Sequence, residues 1–128
     1  MPSLMQGRVI YPKIAVPDPQ GQNPKEGRPF VVVTINEEIK KGGPVFAVGI
    51  TSTFDESQTD LYVQLPYGPS AKSGLKIKSA AHCMWVIDIS RDQFDLGQGF
   101  IRPRLVDEIA DKVELLKSIP RVIRDDPS

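Results

Sequence analysis

The most apolar stretch of the chain is short and β-branched, Val31-Val32-Val33, entered through Glu26-Gly27-Arg28-Pro29-Phe30 and left through Thr34. The run has no polar alternation, which predicts a strand buried on both faces or paired centrally in a barrel. Pro29 fits only at the strand's beginning, because a central ladder cannot lose an N–H in its middle. Arg28 then projects from a rigid base at the end of the sheet.

The remaining elements follow from the same patterning. Residues 7–16 are β-branched and aromatic, with Pro12 marking an edge or bulged strand. Residues 17–27, with three prolines and two glycines, cannot bury a face and read as a loop. A charged Gly42-Gly43 segment at 36–43 reads as a solvated turn before a third strand at 44–50, which ends in the hydroxyl triplet Thr51-Ser52-Thr53. Segments 61–65 and 74–78 alternate as half-buried strands. Residues 79–90 form the longest strand, with Ala81, Cys83, Trp85, Ile87 and Ile89 on one parity and His82, Met84, Val86 and Asp88 on the other. Residues 91–99 read as a polar turn.

From Arg102 the period becomes helical: Pro103 suits the first turn, and Leu105, Ile109, Val113 and Leu116 share one face. Pro120 is expected to stop this helix around Ile119, leaving 120–128 as a charged, disordered tail. Six short strands and one terminal helix predict a mostly β fold over residues 1–119, a small antiparallel barrel with a C-terminal α-helix.

Composition narrows the function classes. The 128 residues hold sixteen basic and sixteen acidic side chains, so broad coating of duplex DNA is disfavoured and any anion site must be local. Cys83 is the only cysteine, which rules out an intrachain disulfide framework and suits a reducing, cytoplasmic setting. No run of apolar residues is long enough to span a membrane, and the N-terminus shows no signal-peptide pattern. One His and one Cys cannot make a His/Cys zinc site, and no phosphate loop or dinucleotide fingerprint is present, so neither metal nor cofactor is implied.

The order of Gly7-Arg8-Val9-Ile10-Tyr11, a polar loop, Gly27-Arg28-Pro29-Phe30-Val31-Val32-Val33-Thr34, Val48-Gly49-Ile50-Thr51-Ser52 and Ile87-Asp88 before a terminal helix resembles the MazF/PemK (Kid) toxins. The resemblance spans roughly residues 7–118. It implies an SH3-like or CcdB-like barrel, homodimeric, acting as the toxin of a toxin–antitoxin pair: a cytoplasmic endoribonuclease that cleaves single-stranded RNA and is held by an antitoxin peptide. Two departures stand out. Gly7 is followed by Arg8 where the family has an acid, and His82-Cys83-Met84-Trp85-Val86 lacks the family's Gln and Arg.

Metal-free RNA cleavage needs a base for the 2′-hydroxyl, an acid for the leaving 5′-oxygen and fixed donors for charge on the pentavalent phosphorus. Arg28 supplies planar, permanently charged donors. By resemblance, Arg28 and Thr51 are the matching active-site pair, and the two side chains should open into one concave surface beside the 17–27 loop. Ser52, Lys25 and Pro29 are assigned to substrate binding. His82 falls where the family has an acidic residue, and its intrinsic titration near neutrality suits an acid or base. The alternative function is a non-catalytic barrel of the same ancestry that binds a protein, as the gyrase-binding CcdB fold does, or nucleic acid. A two-fold dimer is expected to bury part of the 79–90 strand, with Trp85 as interface or core residue.

Overall fold

The computed structural model describes residues 3–17 and 27–125, with side chains of the terminal helix placed as far as residue 117. In chain order the elements are β1 (Arg8–Pro12), β2 (Phe30–Val32), α1 (Asn36–Lys40), β3 (Val45–Thr51), β4 (Tyr62–Leu65), β5 (Ser79–Ile89), β6 (Phe94–Phe100) and α2 (Pro103–Asp125). All pairings are antiparallel and give one six-stranded sheet in the order β4-β5-β3-β2-β1-β6. The mostly β fold with a C-terminal helix is the one the pattern predicts. The sheet does not close, and β4 and β6 are its edges.

The unalternating β2 run is explained by two cores, one on each face of the sheet. Val31 joins Val9, Val48, Ile50, Ala81 and Cys83 beneath α2, whereas Phe30 and Val32 join Ile10, Ala47, Trp85 and Ile89 on the opposite face. Each fully buried Val, Ile or Phe here contributes about 1.5–3 kcal/mol of transfer free energy. Helix α2 packs chiefly on β5 and β4. It buries Ile109 and Val113 as its spacing predicts, together with Val106, while Leu105 and Leu116 flank the contact.

Four local expectations are corrected. The strand expected at 74–78 is irregular: Leu75 anchors the helix-side core and accepts a hydrogen bond from Gly68 N within its own loop, while Ile77 is 61% exposed. The sixth strand is β6 instead, preceded by a 3-10 turn at Arg91–Gln93. Its signal is hidden by glycine, because a Cβ on Gly99 would lie 1.9 Å from the Ser73 carbonyl oxygen. Residues 36–40 of the expected turn close into the short helix α1. Finally, α2 runs past Pro120 to Asp125: an interior proline loses one ladder hydrogen bond and crowds the carbonyl four residues back, which kinks a helix without always ending it.

The imperfect parity of β5 is a bulge. The β3 pairing steps from Val48↔Val86 to Ile50↔Ala81, so β5 carries extra residues between those contacts. Ala81 and Cys83 consequently face the helix-side core, and Trp85 faces the other.

Candidate functional site

The start of β2 and the end of β3 meet at one end of the sheet. Their register pairs Phe30 with Gly49 and Val31 with Val48, and continuing it sets Arg28 opposite Thr51. Pro29 has no N–H to give, yet its carbonyl accepts from Ile50 N at 3.0 Å, so the ladder reaches the base of Arg28. The Arg28 guanidinium carbon lies 5.6 Å from the centroid of the Trp85 ring. A cation over an indole face is held by the ring quadrupole, an effect of about 0.5–2 kcal/mol depending on desolvation.

Trp85 is itself fixed. It is 4% exposed, stands edge-on to Phe30 at 4.8 Å, and lies over Gly49, where a Cβ would come within 2.0 Å of the ring. Gly49 is therefore required by close approach. This burial also corrects Trp85 as an interface candidate: its ring is spent on the core and on Arg28.

Arg28 and Pro29 line a cleft of about 340 Å³ whose other walls include Ser52, Thr53, Lys76 and Ser79. Among the described residues, no carboxylate or imidazole belongs to that lining. Thr51 does not open into the cleft as the sequence reading expects. It is 2% exposed, and its Oγ1 donates to Thr53 O at 3.2 Å and accepts from Thr53 N at 3.1 Å. This short-range turn is the hydroxyl's ordinary competing use at a strand end. Thr51 thereby sets the path of Ser52 and Thr53, which do reach the cleft.

His82 is also absent from the lining. It is 4% exposed, its ring packs on Tyr62 at 4.9 Å, and Nδ1 accepts from Met84 N at 3.4 Å. Cys83, on the other face, is buried under α2, and that burial pushes its thiol up to about 11 against the opposing charge of Lys112. A thiolate nucleophile is disfavoured at neutral pH. Lys25 lies outside the described residues. Among those described, no three His, Cys, Asp or Glu side chains cluster to hold a metal ion, and no helix is long and apolar enough to cross a membrane.

Sequence reasoning missed Thr53, Lys76 and Ser79. Lys76 carried a usable signal, since the lysines of 74–78 fall on one parity, but the strand assignment directed attention to Leu75 and Ile77. The platform role of Trp85 was masked by the β5 bulge.

No family model and no curated protein matches the chain. Solved structures do. An endoribonuclease in complex with its cognate antitoxin, from a mycobacterial species, superposes with a TM-score of 0.63 at 18% identity, covering 92% of this chain and 98% of that one. A second mycobacterial endoribonuclease gives a TM-score of 0.58 at 18% identity, covering 88% and 89%. At this identity the likeness defines the fold, and it extends over nearly the whole of both molecules.

Proposed function

We propose that the protein is the endoribonuclease of a toxin–antitoxin pair, of the MazF/PemK kind, cleaving single-stranded RNA without a metal ion. The observation that carries the reading is the Arg28 guanidinium, held over Trp85 at a hydroxyl-lined cleft, on a fold shared with endoribonucleases. In the reaction the 2′-oxygen forms a bond to phosphorus, the 5′-oxygen leaves with a proton, and a 2′,3′-cyclic phosphate remains. Arg28 holds two phosphate oxygens and stabilises the charge that builds on them. Ser52 and Thr53 orient the sugar-phosphate, and Pro29 shapes the floor. Thr51 is a positioning residue acting through Thr53. His82, packed on Tyr62 away from the lining, is given no part in the reaction. The antitoxin named with the first structural neighbour suggests a cognate antitoxin peptide as partner here too. The homodimer and cytoplasmic setting rest on the family resemblance.

Mixed-sequence RNA incubated with the purified protein should be cut to fragments with cyclic-phosphate ends, at the same rate with and without EDTA. Loss of cutting in EDTA would overturn metal independence. That no described residue of the lining is a carboxylate or imidazole favours a second reading, RNA binding without cleavage. Retained binding with intact RNA would establish it in place of the first.

Thr51→Val keeps the side-chain shape and deletes the hydroxyl, removing the Thr53 N–H···Oγ1 bond at a net cost of about 0.5–1.5 kcal/mol. Thermal unfolding should show that loss. Cleavage should fall measurably, because the Ser52–Thr53 wall loosens, but by less than removal of the Arg28 charge. Parent-like cleavage in a destabilised Thr51→Val would remove Thr51 from the mechanism.

A further inference from the structure

Although the chain is neutral overall, its charge is unevenly placed: no acidic residue occurs between Asp60 and Asp88, while Lys72, Lys76 and Lys78 fall there. The loop joining β4 to β5 lies in this stretch, and three concavities follow it. The Arg28 cleft is the first. A second, of about 420 Å³, lies over Gly68, Pro69 and Ala71 and shares Leu75 and Lys76 with the first. A third, of about 220 Å³, is bounded by Pro66, Lys72, Phe100 and Arg102. Among the described residues, no acidic side chain lines any of them.

The loop is built rather than loose. Ser73 is 2% exposed, and its Oγ donates to Pro66 O at 2.6 Å and accepts from Leu75 N at 3.2 Å. Gly68 N donates to Leu75 O at 2.8 Å, and Phe100 N to Lys72 O at 2.9 Å, which ties the loop to β6. Lys72 and Lys76 thus leave a fixed backbone. Arg102 sits where α2 begins, its carbonyl accepting from Leu105 N and Val106 N, and the first turn of that helix carries no acid. The helix dipole adds positive potential at this point. Lys78 is engaged with Glu56 and is left out of the path. Tyr67, 50% exposed on the same loop, offers a ring for stacking an unpaired base.

We propose that this loop is a second binding track, along which the nucleotides flanking the cut site of a single-stranded RNA run from the Arg28 cleft, past Lys76, to Lys72 and Arg102. The identity of the polyanion rests on the ribonuclease reading above. The track accounts for features that reading does not use: the acid-free stretch, the buried Ser73 bracing and the two outer concavities.

The test separates binding from cutting by using a 2′-O-methyl RNA of about 12 nucleotides, long enough for several phosphate contacts and unable to react. Anisotropy titrations over a salt series compare the parent with the double variant Lys72→Gln/Arg102→Gln. Two lost phosphate contacts should lower the slope of log affinity against log salt by about 1.4, so the parent's advantage shrinks about sevenfold between about 0.05 and 0.2 M salt. Both side chains are exposed, and the Arg102 capping carbonyl survives substitution, so the melting temperature should be unchanged. A second variant, Tyr67→Ala, should bind roughly tenfold more weakly through lost stacking. Equal slopes and affinities for parent and variants, or a parent that does not bind the oligonucleotide, would overturn the track. The ribonuclease reading is decided separately by unmodified RNA. A parent that binds with the expected salt response yet leaves RNA intact retires cleavage and keeps the track.

Discussion

Arg28→Ala is expected to lower RNA cleavage by about 10²–10³-fold and to abolish growth arrest when expressed in a bacterial host. The magnitude is that of removing one preorganised donor from a site of developing negative charge, a few kcal/mol of transition-state stabilisation. Preorganisation here has a physical origin: the ladder is anchored at Pro29, and the guanidinium rests over Trp85. The same geometry predicts that Arg28→Lys rescues little, since an ammonium keeps the charge but loses the planar fork that meets two phosphate oxygens at once. The lost cation–π contact should itself cost about 0.5–2 kcal/mol of stability, and the fold should persist because a strand-end arginine holds little of the core. A well-folded Arg28→Ala that cuts RNA as fast as the parent would remove the assigned site.

Several features were legible because one physical cause dominated each. The Val31–Val33 run lacks alternation because β2 has a core on each face, and the α2 spacing survives because Ile109 and Val113 are both buried in the helix-side core. Arg28 was legible through Pro29, whose missing N–H confines it to a strand's beginning. The failures occur where tertiary context overrides local pattern. Strand β6 is an edge strand paired only with β1, its glycines are dictated by close approach of Gly97 to Tyr11 and of Gly99 to Ser73, and no periodicity records such an approach. The alternation at 74–78 reflects a single anchor, Leu75. At the site, the hydroxyl triplet already contained its local use, because Thr51 satisfies the Thr53 backbone and leaves the cleft to Ser52 and Thr53. Parity correctly set His82 apart from Cys83, but the bulge before Trp85 reversed the faces and concealed the platform beneath Arg28.

That platform yields the sharpest separation of stability from function. Trp85→Ala should cost about 3–5 kcal/mol, as expected for deleting a buried aromatic side chain, which is a large share of a typical domain's 5–15 kcal/mol, roughly. The variant should melt roughly 10–20 °C lower or fail to fold. Trp85→Phe is the informative change. It loses ring volume, but it also removes Nε1, a buried donor with no hydrogen-bond partner among the described residues, and the two effects oppose each other. The variant should therefore stay folded while the surface under Arg28 shrinks and the cation–π contact weakens. Ile89→Val, in the same core cluster but away from the Arg28 contact, is the matched control, costing about 0.5–1.5 kcal/mol. If Trp85 holds the guanidinium in place, Trp85→Phe should slow cleavage at saturating RNA about tenfold, the effect of losing roughly 1.4 kcal/mol of transition-state stabilisation. Ile89→Val should leave the rate unchanged at comparable melting temperature. Equal rates in the two variants would reduce Trp85 to core packing.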